Sequence, residues 1–296
     1  MVYAENSNID EYQNVVLSSQ NIFWVKRDGS RVLVCRAGDL IANARLERFP
    51  KLETEEVVST EMMQEISSIF HALEVAVRPR EKMKTVKAVR ESWTLWFNSH
   101  DSLSPLEVIL LSEYLMPKDL QNNSTNWSAA SLQLFHRSCF IATLFTLGTC
   151  ALGYHSWKFL REAWILSFSL SSHYSVAGMK TSDLENLRSG DKSSEFVEQL
   201  ISSVELEFDG LKNVVSRMFE NAKGTGGPRG LVPAELTDIE RLYAHLESTV
   251  SPIVDLNDVK MRDLWKTDHF KIVSKLSDND GNEVKLVDEI YLEFGL

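Results

Sequence analysis

Between Arg137 and Lys158 the chain runs for 20 residues, Ser138 to Trp157, without a Lys, Arg, Asp or Glu. Any fold must hide this stretch, and only a bilayer or a protein core can do so. Its apolar heart, Cys139–Leu152, is shorter than the ~20 residues a spanning helix needs. It also contains Thr143, Thr146, Thr149 and Gly148. A buried core helix, wrapped by other helices, is the expectation, and a membrane partner is not. The chain is 44% hydrophobic and 25% charged, enough apolar material for such a core. At roughly 150 residues per domain, its 296 residues suggest about two domains.

Charge and cysteines narrow the class further. With 31 basic against 42 acidic side chains, the net charge is -11. Phosphate backbones repel such a surface, so no nucleic-acid partner is expected. The densest basic stretch, Arg80–Lys87, alternates with apolar residues as a helix surface does. Cys35, Cys139 and Cys150 have no CxxC spacing, which fits a reducing compartment rather than a disulfide framework or zinc knuckle. The start, MVYAENSNIDEYQN, lacks the basic and apolar regions of a signal peptide, so a cytoplasmic location is expected.

Residues 14–58 read as β-rich. NIFWVKR and SRVLVCR flank Asp28-Gly29, a strong hairpin signal. A two-residue turn there sets Val25 opposite Val32 and Trp24 opposite Leu33. A short helix over AGDLIANARLERF and a strand over EEVVS complete a small α/β unit. From Thr60 the pattern is helical. MMQEISSIFHALEVAV ends before Pro79, EKMKTVKAVRESWTLWF follows, and Ser104-Pro105 opens SPLEVILLSEYLM. LQNNSTNWSAAS is the best linker. Phe196, Leu200, Val204, Phe208, Leu211, Val215 and Phe219 recur as one helical face. KGTGGPRGLVP breaks it, AELTDIERLYAHLESTV resumes helix, and KLVDEIYLEF closes the chain. The fold class expected is α+β: a small N-terminal α/β domain (1–60), a helical connector (61–125) and an all-helical bundle (126–296).

The loop Gly224, Thr225, Gly226, Gly227, Pro228, Arg229, Gly230 and Leu231 lies between two helices behind this small domain. It resembles the signature loop of the HD-GYP phosphodiesterases, which hydrolyse the bacterial messenger cyclic di-GMP. LFHRSCFIATLFTLGTCALG is similar to the helix that supplies that family's first metal-binding His. FLREAWILSFSLSS is similar to the helix carrying its His-Asp pair. On composition alone the loop also suits a tight interhelical turn.

Phosphodiester hydrolysis calls for two or three metals that activate water and stabilise the leaving oxygen. The resemblance implies a set of one His, a His-Asp pair, another His, an adjacent His pair and a final Asp. Here His136 takes the first place. The pair falls on Ser167 and Phe168, and the Lys after it on Ser171. The middle His and His pair fall near Met218 and Phe219, the last Asp near Glu247, and the signature Tyr on Gly227. No His occurs between His173 and His245. Two donors cannot hold a binuclear divalent site, because each metal needs several at once. No metal and no cofactor are therefore expected. His71, His100 and Asp101 mimic the first ligand spacing, but NSHDSLSPLEV reads as a helix end and a new N-cap. No P-loop, nucleophile elbow or H-E-x-x-H is present.

The resemblance thus implies a catalytically inactive HD-GYP-like adaptor acting by protein–protein interaction. A diguanylate cyclase-type domain is the implied partner, and Arg229 suits a carboxylate or phosphate. Two alternatives stay open. One is a metal-dependent phosphohydrolase or cyclic di-GMP phosphodiesterase with a rearranged site of His71, His100, Asp101 and His136. The other is a non-catalytic cyclic di-GMP receptor.

Overall fold

The computed structural model describes residues 15–42, 46–57, 60–76, 78–98, 104–117, 132–176, 207–220, 224–227 and 229–250, with positions 198 and 202. His100, Asp101, Pro228, the proposed linker, most of 177–206 and KLVDEIYLEF lie outside the described residues. The described chain is mixed α and β. Its strands are β1 (Val15–Leu17), β2 (Gln20–Val25), β3 (Arg31–Cys35), β4 (Leu40–Ala42) and β5 (Leu52–Glu56). The α-helices are α1 (Thr60–Val75), α2 (Pro79–Asn98), α3 (Pro105–Leu115), α4 (Leu132–Ala151), α5 (Trp157–Val176), α6 (Asp209–Ser216) and α7 (Asp238–Thr249).

The strands form two small antiparallel sheets, β1–β4 and β3–β2–β5. The β2–β3 hairpin exists, but its turn is one residue longer than expected. Gly29 N–H donates to the Lys26 carbonyl and Lys26 N–H to the Ser30 carbonyl. Arg27-Asp28-Gly29 is therefore a three-residue loop with Gly29 at φ +83. Asp28 Oδ1 fixes it by accepting from Ser30 N–H at 2.9 Å and Ser30 Oγ at 2.7 Å. The added residue shifts the register: Val25 faces Arg31, Trp24 faces Val32 and Phe23 faces Leu33. A second correction concerns AGDLIANARLERF. Leu40–Ala42 is strand β4, because its backbone pairs with Val15–Leu17. The third strand lies over Leu52–Glu56, slightly ahead of the expected EEVVS.

The uncharged run is the centre of the molecule. Every residue of α4 from Leu134 to Ala151 is buried. This helix alone among the described residues is long and apolar enough to cross a membrane, and its apolar window is wholly covered by the protein itself. α2, α3, α5 and α7 pack around it. A helix apolar on every side is stable in water only when so enclosed. Two of its hydroxyls bond the preceding turn: Ser138 donates to the Leu134 carbonyl at 2.7 Å and Thr146 to the Ala142 carbonyl at 2.8 Å. Ser112 of α3 meets Thr143 at 2.8 Å, and Trp164 Nε1 of α5 donates to Thr143 at 3.4 Å. α3 starts as its sequence predicts, with Pro105 at its first position and a Ser104–Glu107 capping box. One continuous core runs from Leu17 to Val250 and includes Phe70, Leu73, Val86 and Val89 of the segment expected as a connector. A satellite cluster of Ile22, Cys35 and Ile41 lies with the strands.

The apolar face expected to run helically to Phe219 stops earlier. α6 ends at Ser216, and Phe219 pairs instead with Gly227 in a short antiparallel bridge. Turn-type bonds, Met218 N–H to Val215 and Glu220 N–H to Arg217, redirect the chain into the glycine-rich loop.

Candidate functional site

The residues at the expected ligand places sit on α4, α5, α7 and the segment after α6. Phe168 is fully buried. Its ring stacks on Trp164, with centroids 4.8 Å apart at 12°, and takes Phe135 edge-on at 6.0 Å. Such aromatic geometry fills space and excludes water. Ser167 beside it is fully buried, as are Met218 and nearly all of Phe219. Ser171 lies on α5, and its side chain is outside the described residues.

Glu247 is also buried, and its partner is one the sequence did not suggest. Its Oε1 accepts from Arg137 Nη2 at 3.0 Å, with both side chains at 1% exposure or less. The same nitrogen lies 3.5 Å from the Glu247 carbonyl. A carboxylate without water needs such a charge and donor beside it. Tyr243, one turn earlier on α7, packs edge-on to Phe145 at 4.9 Å. Burial first, and then the Glu247 charge, drive its phenol far above the usual range; Ser167 and Arg137 pull the other way. Ser167, Tyr243, Arg137 and Glu247 thus meet in one enclosed cluster.

His136 does not join it. Consecutive residues on a helix point about 100° apart, so His136 and Arg137 face different neighbours. His136 Nε2 lies 2.9 Å from the Gly38 carbonyl, tying α4 to the turn before β4. Since a carbonyl only accepts, Nε2 carries the proton. Burial lowers the pKa of this imidazole, against the pull of the Gly38 bond and Asp39. His71 is exposed on α1, 3.9 Å from Glu74, far in character from a ligand. Among the described residues, no three His, Cys, Asp or Glu side chains are grouped to hold a metal ion. The residues present do not fit the metal pair that the family resemblance implies: Glu247 is closed against a cation, and His136 is turned to a carbonyl.

The glycine-rich loop is organised by Glu220, a residue sequence reasoning missed. This carboxylate is 1% exposed. It accepts from Arg229 N–H at 2.9 Å and from Leu231 N–H at 2.8 Å. The loop therefore folds back over an internal anion. Gly230, at φ +65, could not carry a Cβ, which would lie 2.9 Å from the Gly224 carbonyl oxygen. Outside this cradle Thr225 and the Arg229 side chain are exposed, and Gly224, Gly226, Gly227 and Gly230 are half-buried. Arg217, just before the loop, reaches Glu240 of the α7 capping box at 2.7 Å. The one sequence signal for Glu220 was an acid directly ahead of a glycine-rich run. For Arg137 it was a lone charge at the border of the uncharged stretch.

No protein-family model, curated protein or solved structure matches the chain.

Proposed function

We propose that this chain is a non-catalytic, HD-GYP-like signalling adaptor acting in the cytoplasm of a bacterium with cyclic di-GMP signalling. The observation that carries the reading is the buried Arg137–Glu247 pair. Where a phosphodiesterase of this kind needs an acidic pocket open to metal and water, this chain puts a guanidinium on the surviving carboxylate and Phe168 beside Ser167. The recognition element is the 224–231 loop. Glu220 holds its backbone while Arg229 extends into solvent. A guanidinium can grip a carboxylate with two parallel hydrogen bonds, which suits a protein partner such as a diguanylate cyclase-type domain.

The test combines turnover with capture. Purified chain supplied with Mn²⁺ or Fe²⁺ is expected to leave cyclic di-GMP intact. It is expected to capture a diguanylate cyclase-type domain, and Arg229→Glu is expected to weaken capture with little change in melting temperature. Hydrolysis of the dinucleotide by the chain would overturn the reading. Saturable binding of cyclic di-GMP without capture would replace the adaptor by a receptor.

A further inference from the structure

The three-stranded sheet ends in two edges of opposite charge. On one edge is β3, with Arg31, Val32 and Leu33 all exposed. Arg36 follows it, and Lys26 and Arg27 stand at its hairpin turn, all three also exposed. On the other edge is β5, whose Glu53, Thr54 and Glu55 are exposed, with Lys51 just ahead of it, level with Arg31, and Val57 just beyond at 47%, so that edge is acidic on balance. Neither strand has a second neighbour among the described residues. An open edge presents unpaired backbone donors and acceptors, and proteins commonly defend it with charge. Charge of one sign on both edges would keep copies apart. Here the signs differ, so the second edge attracts the first.

We infer that the chain associates with a second copy of itself, β3 of one molecule alongside β5 of the next. Both strands run antiparallel to β2 and hence parallel to each other. A copy displaced sideways across the sheet therefore brings its β5 in parallel beside β3. Ile22 pairs with Cys35 on one side and Thr54 on the other, which puts Arg36 level with Glu55. Arg31 reaches back over its own sheet: its guanidinium lies 4.0 Å from the centre of the Phe23 ring and 3.6 Å from Glu53 of its own chain. That internal pair is about half exposed, so it leaves the guanidinium available and contributes little by itself. Val32 and Leu33, at 37% and 39% exposure, supply apolar area on the two faces of the joint. Because the two surfaces differ, the contact is head-to-tail and propagates into a ring or an open filament rather than stopping at a symmetric dimer.

Sedimentation velocity over a concentration series tests this on the full chain. Wild-type protein is expected to assemble at low salt and to dissociate as salt screens the edges. Arg31→Glu/Arg36→Glu gives a molecule with two acidic edges, and Glu53→Lys/Glu55→Lys one with two basic edges. Each alone is expected to stay monomeric with wild-type circular dichroism. Mixing them is expected to restore assembly, because every reversed β3 then meets a reversed β5. Misfolding of a variant could not produce that rescue. Wild-type protein that stays monomeric at low salt overturns the inference. So does assembly that persists in both variants or a mixture that fails to recover it.

Discussion

Replacing Glu220 by Gln is the sharpest probe of how the loop is built. The carboxylate accepts two backbone N–H bonds, from Arg229 and Leu231, in a site closed to water. Hydrogen bonds to a charged group are worth about 1.5–3 kcal/mol each. The amide keeps one oxygen for one N–H and turns an NH₂ toward the other, so the expected loss is about 2–4 kcal/mol. For a chain of this length that corresponds to a fall in melting temperature of about 4–8 °C. Urea denaturation measures the global term. Hydrogen exchange locates it, because protection should fall at the amides of Arg229 and Leu231 before it falls in α4. Glu220→Asp, which keeps the charge but shortens the reach, is expected to lie between wild type and Gln. A Gln variant within about 0.5 kcal/mol of wild type, the range of ordinary surface changes, with unaltered exchange at both amides, would refute the internal-anion account of the loop.

Three further outcomes follow from the core. Phe168→Ala is expected to cost about 3–5 kcal/mol by calorimetry or denaturant titration, since the ring is fully buried between Trp164 and Phe135; a loss under about 1 kcal/mol would move that ring out of the core. Glu247→Gln or Arg137→Met alone is expected to cost about 3–5 kcal/mol, whereas the double replacement Arg137→Met/Glu247→Met should recover most of it, which a double-mutant cycle reads directly. His136 predicts a pH dependence: burial sets its folded pKa below the ordinary 6.5, so the unfolded chain binds more protons. Its contribution is complete above about 6.5 and is lost as pH falls through the folded value. Stability measured against pH should therefore slope less steeply below that point in His136→Gln than in wild type; identical slopes would show that the imidazole does not titrate between the two states.

Much of the helical frame was legible because its signals are local. The uncharged run identified α4 as a core helix, Pro79 separated α1 from α2, and Ser104-Pro105 marked the start of α3. What escaped was set by partners distant in sequence. Leu40–Ala42 is too short to show a period-two pattern, and only Val15–Leu17 makes it a strand. The hairpin was found but its register was not, because the Asp28–Ser30 bonds choose a three-residue loop that the dipeptide Asp-Gly does not specify. At the candidate site, Ser167, Phe168, Met218 and Phe219, which the resemblance put at ligand places, are buried. The two groups that organise the polar interior, Arg137 and Glu220, were passed over. A buried charge is an exception to composition rules, and its compensating partner lies 110 positions away for Arg137 and in the backbone of the next loop for Glu220.

The Arg137–Glu247 pair also says why introducing single ligands would not create a metal centre here. A divalent ion requires surrounding donors to be net negative or neutral, and a guanidinium within 3.0 Å of the carboxylate opposes that directly. Arg137 cannot lose its proton to make room, so it would have to leave the core or exchange partners. Leaving is costly here, because α4 is buried along its whole inner length and offers no route to water. His136 is held by an independent constraint, the Gly38 carbonyl, and freeing it would loosen the junction between α4 and the strands. The two candidate donors are thus committed to the stability of the fold. The exposed Arg229 side chain, on a loop pinned from beneath by Glu220, carries no such commitment, and its replacement disturbs neither the core nor the loop's backbone bonds.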